Sequence, residues 1–244
     1  MTTTRSRAGA ARAGAGFPSV AQLLHGAMRE AVAAAGAQAR SGSWFGNAHW
    51  DPAGFYFVDN HQGECGAIWF SSESIAAGIL SSGDPWRKYD YRRAIARAPS
   101  EARSALLWLV QEYPFRFGEA ASPRINAVFW SDDGRLAAPE PWSSFAEYGG
   151  RVLEAELKDD ATWATDGWGP ADEDGAPDPA TARVMIALAK RRLAAGAAVT
   201  LTAREERTIV PVDALGRAEA LDTLRCGGRW AIVAGPLRAA HRAG

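Results

Sequence analysis

The spacing between predicted strands most constrains what this chain can fold into. Residues 55–58 and 67–70 are short runs rich in aromatic and branched side chains, and residues 61–64 between them have the composition of a turn. A connection this short joins antiparallel strands, because a parallel pair needs a crossover of a dozen or more residues. The sequence therefore predicts an α+β protein with mainly antiparallel sheet packed against helices, and not a doubly wound fold.

Two helices carry clear signals at both ends. Ser19 and Gln22 form a capping box, and the apolar residues that follow line one helix face as far as Gly36. A second helix is predicted from Pro179 to the residues before Gly196, because proline favours the first turn of a helix and glycine the position after the last. The basic residues at 190–192 suit the negative end of the helix dipole. We therefore assign them a role at the helix terminus.

Weaker patterns complete the predicted elements. Residues 71–80 resemble a short helix, residues 100–113 a helix that Pro114 ends, and residues 199–202 with 208–212 a hairpin. With these elements the chain divides into two loosely similar α-β-β-α-β halves. We place a flexible tail at residues 1–18, an N-terminal half at 19–142 and a C-terminal half at 143–240, the halves forming either two units or one continuous domain.

Composition excludes several classes of protein. The chain has 244 residues, 47% of them hydrophobic and 23% charged, and a net charge of −1, so nothing draws it as a whole to nucleic acid or to an anionic membrane. No apolar run approaches the roughly 20 residues that a membrane span needs. Two cysteines, Cys65 and Cys226, cannot form the disulfide framework of a small secreted domain. We expect a cytoplasmic protein without a membrane partner.

The segment HQGECGAIWFSS is the strongest local motif. It resembles the nucleophile segment of the papain-like cysteine proteases, in which a reactive thiol at the start of a helix stands just before a tryptophan. The nucleophile position falls on Ile68, which cannot attack a carbonyl, and Cys65 corresponds to that family's structural disulfide partner. The matching positions are Gln62, Gly63, Cys65, Gly66 and Trp69.

A thiol-dependent hydrolase unrelated to that family is one alternative function. Cys65 would be the nucleophile and His61 or His49 its base, with Asp59 or Asp51 orienting the imidazole. Nucleic-acid binding is a second alternative, because residues 86–97 interleave basic side chains with aromatic rings that could stack on bases.

We favour a non-catalytic protein-binding role, as in an immunity-type or regulatory factor. Ten tryptophans are present, and tryptophans on loops are typical of interface hot spots. An acidic stretch from Glu154 to Asp178, with Trp163 and Trp168, could dock a basic partner. We predict no cofactor and no metal, because phosphate-binding glycine loops and histidines at ligand spacing are absent. The predicted binding residues are Trp44, Trp50, Trp86, Arg87, Lys88, Tyr89, Arg92, Arg93, Trp142 and Trp168.

Overall fold

A six-stranded antiparallel sheet forms the centre of the protein. The computed structural model describes residues 17–42, 48–51, 54–59, 64–71, 75–81, 89–116, 125–132, 135–141, 150–166, 179–225 and 232–233. The strands of the sheet are hydrogen-bonded in chain order, so the α+β class and the antiparallel pairing predicted from the sequence are confirmed. They are β1 (Ala48–Trp50), β2 (Phe55–Asp59), β3 (Glu64–Phe70), β4 (Ile75–Ser81), β5 (Ile125–Asp132) and β6 (Arg135–Ala137).

Eight helices accompany the sheet in the described part of the chain. A single 3-10 turn, Gly150–Leu153, precedes the fourth of them. The helices are α1 (Val20–Ser41), α2 (Tyr91–Ala96), α3 (Ser100–Arg116), α4 (Glu154–Leu157), α5 (Asp160–Asp166), α6 (Pro179–Ala195), α7 (Ala203–Ile209) and α8 (Arg217–Arg225). A short parallel pair, β7 (Val199–Thr200) and β8 (Ile232–Val233), forms a second sheet.

The predicted short helix at residues 71–80 is wrong, because Ile75–Ser81 is the central strand β4. Ile75, Ala77 and Ile79 face one layer of helices, and Ala76 faces the other. A strand covered on both faces is apolar at every position and lacks the alternation that identifies a half-exposed strand. The register shifts between Ile79 and Leu80, as in a β-bulge.

Helix α1 lies in the middle of the structure. Its N-terminal cap is the predicted one, since Ser19 Oγ accepts a hydrogen bond from the Gln22 N–H at 3.1 Å. The helix does not end at Gly36 but at Gly42, which has the left-handed φ of 68°. At Gly36 the missing side chain permits a close approach instead, because a Cβ there would lie 3.0 Å from Cε of Met185.

Three apolar clusters define the layers. The first packs α1 and the residues around α4 on one face of the sheet, and the second packs α2 and α3 on the opposite face. A third cluster joins the far side of α1 to α5, α6, α7 and α8. Since apolar contacts surround it, α1 is a core helix buried on all sides.

The predicted hairpin at residues 199–212 is also wrong. Residues 203–209 form α7, whose capping box joins Thr202 and Glu205. The β-branched residues of this segment favour a strand, but the capping interaction and the packing of Ile209 in the third cluster decide for a helix. The six strands of the main sheet thus all come from residues 48–137, and the chain after residue 150 supplies helices and the β7–β8 pair.

Several other predictions can be placed. Helix α6 begins at Pro179, and Gly196 follows its last residue with a φ of 60°. Helix α3 continues through Pro114 to Arg116. None of the helices in the described ranges is long and apolar enough to cross a membrane. The tail at residues 1–16 lies outside those ranges, and the division into two halves stays a prediction.

Candidate functional site

Cys65, the candidate nucleophile, lies on β3 and is half-buried. The strand register places Asp59 opposite it on β2 and Leu80 opposite it on β4. Its side chain packs against the apolar cluster between the sheet and α2 and α3. Cys65 thus has an acidic residue opposite it on β2 and apolar residues around its side chain. His61, one of its two candidate bases, lies outside the described residues.

His49 and Asp51 have other surroundings. His49 lies on β1 opposite Phe57, and the two rings stack with their centroids 5.3 Å apart. With β2 between them, the backbones of β1 and β3 are about 10 Å apart. Asp51 is buried, and its Oδ1 accepts a hydrogen bond from the Phe55 N–H at 2.9 Å, which closes the β1–β2 turn. The strand pairing thus does not bring His49 opposite Cys65.

The predicted binding residues divide into three groups. Trp50 was expected on a loop, but it lies on β1 and is 2% exposed, so a partner cannot reach it. Arg92 and Arg93 are exposed on α2, and the Tyr89 hydroxyl donates a hydrogen bond to Glu140 Oε2 at 3.2 Å. The remaining six lie outside the described residues: Trp44, Trp86, Arg87, Lys88, Trp142 and Trp168.

The predicted acidic surface is partly interior. Trp163 and Glu156 are buried at 0% and 1% exposure. Asp159 is exposed but caps α5, accepting hydrogen bonds from Ala161 N and Thr162 N at 2.9 Å, and these contacts with Thr162 hold its pKa below the ordinary value. Glu156 and Trp163 therefore do not belong to an open acidic face, whereas residues 167–178 of the stretch lie outside the described residues.

A carboxyl centre lies between α1, α4 and β2. The Tyr56 hydroxyl donates to Oε1 of Glu156 at 2.5 Å, and the Trp163 indole N–H donates to Oε1 of Glu30. Burial raises the pKa of both carboxyls, and for Glu156, which Glu30 also repels, the pKa rises to about 8. Burial likewise raises the pKa of Tyr56 well above its usual range. The centre therefore favours a bound proton.

Arg29 links this centre to the surface. The guanidinium is fully buried and donates to the carbonyls of Ala155 at 2.6 Å and Lys158 at 3.2 Å, and to Asp160 Oδ1 at 3.0 Å. It also lies over the Trp163 ring, 4.6 Å from the centroid.

Asp160 forms the outer end of the linkage. His25 Nε2 lies 2.8 Å and Lys190 Nζ 2.7 Å from its oxygens. Burial opposes its ionisation, but the hydrogen bonds from Lys190, His25 and Arg29 outweigh burial and lower the pKa of Asp160 to about 2. The linkage therefore stays ionised at its outer end, whereas the carboxyl centre favours a bound proton.

Arg192 is a second buried cation. It occupies the last turn of α6, as predicted, but its side chain is 1% exposed and its guanidinium lies 5.5 Å from the Trp50 ring centroid. Neither Nε nor Nη2 has a hydrogen-bond partner within the described residues. Burial lowers the pKa of Arg192 to about 9. The role at the helix terminus assigned from the sequence therefore does not account for the burial of the Arg192 side chain.

The buried charged residues could not be identified as a group from the sequence, because they come together only through tertiary packing. Glu30 and Glu156 stand far apart in the chain, and only the packing of α1 against α4 joins them. One clue was available, since Arg29 and Glu30 interrupt an otherwise small and apolar run, AMREAVAAAGA. Charged residues on a helix face that packs inward need a partner.

Two of the large exposed apolar side chains on the described surface come from one loop. Val212 and Leu215, on the loop between α7 and α8, are 72% and 85% exposed. Leu107 on α3, 47% exposed, is the other large exposed hydrophobic residue of the described part. The loop therefore presents two apolar side chains within four consecutive residues.

Chemically, the described residues offer two buried polar centres and this surface loop. No group of three or more described acid, cysteine or histidine side chains is arranged to hold a metal ion. Comparison of the chain with protein-family models, with curated proteins and with solved structures finds no match.

Proposed function

We propose that the chain is a non-catalytic protein-binding protein of regulatory or immunity type, with the α7–α8 loop in its interface. The observation that carries the proposal is the exposure of Val212 and Leu215, two large apolar side chains within four consecutive residues of one loop. Each would contribute about 2 kcal/mol if a partner removed it from water. Paired exposed apolar residues on a structured loop are typical of an interaction surface.

The loop is held in one conformation before any partner binds. Gly216 N–H donates to the carbonyl of Ala39 at 3.0 Å, and the Arg217 guanidinium donates to the Val210 carbonyl and pairs with Glu206. A Cβ at Gly216 would lie 2.2 Å from the Gln38 carbonyl oxygen, so only glycine permits this docking onto α1. Because the loop is already ordered, association does not have to order it.

Two further observations fit this role. The register places Asp59 and Leu80 opposite Cys65 and His49 opposite Phe57, which disfavours a thiol hydrolase that uses His49 as its base. Two cysteines in 244 residues are too few for a disulfide framework, so we propose the cytoplasm as the location. Trp44 lies outside the described residues and stays a sequence-based candidate for the interface.

The test is quantitative affinity purification from the native cells with the wild type and the double variant V212D/L215D. We expect a stoichiometric partner on the wild type and its loss from the double variant. The variant L107D is the matched control, because it places the same charge on the exposed leucine of α3. Thermal unfolding checks the fold, since exposed substitutions usually change stability by about 0.5 kcal/mol or less. A wild type without a stoichiometric partner, or a double variant that keeps it, contradicts the proposal.

Exposed Arg92 and Arg93 on α2 favour a second function, nucleic-acid binding. The Arg92 guanidinium lies 5.9 Å from the Tyr91 ring centroid, which joins a cation to an aromatic surface. Retention of the wild type on heparin at low salt, lost in R92E/R93E, would support it. Equal elution of both proteins without retention removes it.

A further inference from the structure

Among the described residues, Arg192 is the buried cation with the fewest partners. Its side chain is 1% exposed, and no described residue accepts a hydrogen bond from Nε or Nη2. Arg29 is buried to the same degree but donates to two backbone carbonyls and one carboxylate. Buried donor nitrogens of a cation without an acceptor are costly. The contrast indicates that Nε and Nη2 of Arg192 are available to hydrogen-bond a bound ligand, because no described residue accepts from them.

The geometry of the guanidinium specifies the shape of that acceptor. Nε and Nη2 form one edge of the group, and their N–H bonds point in parallel toward the positions of two oxygens. One carboxylate or one phosphate matches this edge with both of its oxygens. The Trp50 ring lies against the guanidinium, with 5.5 Å between Cζ and the ring centroid. The face is therefore occupied by an aromatic ring, and the edge is left for a ligand.

The charge of the ligand distinguishes a carboxylate from a phosphate at this position. Burial lowers the pKa of Arg192 to about 9, and no described carboxylate offsets this effect. The surroundings are apolar, because Trp50, Ala189 and Leu193 belong to one hydrophobic cluster. A monoanion would make this region neutral, whereas a phosphate dianion would leave a buried negative charge. A carboxylate is therefore the better match.

We propose that Arg192 and Trp50 form a binding site for a small monocarboxylate. Trp50 belongs to β1, which is one of the two edge strands of the main sheet, so the site lies at the side of the sheet and not at its centre. Both donor nitrogens are shielded from solvent. The ligand enters when the elements over this edge open locally, and it is enclosed once bound.

The direct test is an NMR titration of ¹⁵N-labelled wild type, following the arginine Nε–H signals. Sodium acetate replaces sodium chloride at constant ionic strength, and the variant R192M assigns the Arg192 signal by its disappearance. We expect this signal to move saturably with acetate. Sodium phosphate in a parallel titration distinguishes the monocarboxylate from an oxyanion of higher charge.

Variants give a second readout. The acetate-dependent rise in Tm of the wild type should be lost in R192M, and R192K should bind acetate about tenfold more weakly because an ammonium lacks the paired donors. The matched control is R191M. Arg191 is the neighbouring arginine, is 41% exposed and already pairs with Glu205 at 2.6 Å, so its loss should leave the acetate response unchanged.

Three results overturn the proposal. One is an Arg192 signal that moves alike with acetate and chloride, and another is a saturable response to phosphate alone. The third is an R192M protein that keeps the acetate-dependent rise in Tm. If R192M does not fold, the wild-type titration decides the matter, because the Arg192 signal can then be assigned with R192K.

Discussion

The two faces of the main sheet are covered by helices of different chemical character. On the α2–α3 face, the buried helix residues are small or aliphatic, such as Ala94, Ile95 and Leu106. On the α1 face, the helices bury four charged residues, Arg29, Glu30, Glu156 and Arg192. Both sides of the sheet thus carry an apolar cluster, but only the helices on the α1 side also bury charged side chains.

The difference in buried charge shows which interactions hold the helices on each face of the sheet. Apolar packing is non-directional, so volume and shape determine the positions of α2 and α3. The Tyr56–Glu156 and Arg29–Asp160 hydrogen bonds fix the positions of α4 and α5 relative to β2 and α1. Unpaired buried charges are costly, so this layer should tolerate substitution far less well than the other.

Removing the Arg29 guanidinium should give the largest difference in stability between the two faces of the sheet. We expect Arg29→Met to lower the free energy of unfolding by about 4 kcal/mol, because carboxylates and carbonyls lose a buried cationic donor. Leu106→Met is the control on the apolar face and should cost less than about 1.5 kcal/mol, since it conserves volume. Urea unfolding measures both. Equal losses in the two variants would show that the layers do not differ in this way.

Two glycines provide the next test. A Cβ on Gly26 would lie 2.0 Å from the Glu156 carbonyl oxygen, whereas a Cβ on Gly78 would meet Ile125 and Leu109 at 3.9 and 4.0 Å. Gly26→Ala should therefore cost about 3 kcal/mol, because the α1 and α4 backbones must separate. Gly78→Ala should be neutral or slightly stabilising, since a strand gains from the loss of glycine. Guanidinium unfolding of both variants measures the contrast, and a stable Gly26→Ala protein would refute the close contact.

The carboxyl centre predicts a pH dependence that the apolar face lacks. The pKa of Glu156 is about 8 in the folded protein against 4.5 ordinarily, so the folded state binds more protons between these values. This stabilisation is complete below pH 4.5 and is lost as pH rises through 8, with a slope of about 1.4 kcal/mol per pH unit.

Glu156→Gln should flatten this slope while keeping an acceptor for the Tyr56 hydroxyl. Glu30, whose pKa is also raised by burial, should leave a residual slope of the same sign. Exposed Glu154 lies on the same short helix, so Glu154→Gln is the control and should behave as the wild type. Chemical denaturation at pH 5 to 9 gives the slopes, and parallel slopes for all three proteins would exclude a raised pKa at Glu156.

Much of the fold could be predicted from the sequence where local chemistry decides it. The β2–β3 hairpin and the Ser19 cap follow from short-range patterns, and both are present. Strand β4 could not be predicted, because helices cover both of its faces and remove the alternation. Helix α7 was missed because its β-branched residues favour strands and the Thr202–Glu205 capping box was not recognised in the sequence.

The candidate sites were less predictable for a physical reason. Cys65 and His61 stand out because they are close in sequence, but side chains of a site meet through tertiary packing. Glu30 and Glu156 are buried together only because Gly26 lets α1 touch the α4 backbone. Arg191 and Arg192 are adjacent in the sequence, yet Arg192 is buried and Arg191 is exposed. Helical spacing is the one local clue, because Arg192 follows Leu188 and Ala189 by four and three positions on the buried face of α6.

The smallest expected effect concerns Cys65, the reactive candidate on the apolar face. Its side chain is half-buried against apolar residues, so Cys65→Ser should change the free energy of unfolding by about 1 kcal/mol or less. Binding of the partner should be unchanged, and any turnover of a thioester or peptide substrate should persist in the variant. Partner pull-down and substrate assays on the same preparation measure both properties. Abolished turnover in a folded Cys65→Ser protein would restore the thiol hydrolase and place a functional thiol on the face that we describe as purely structural.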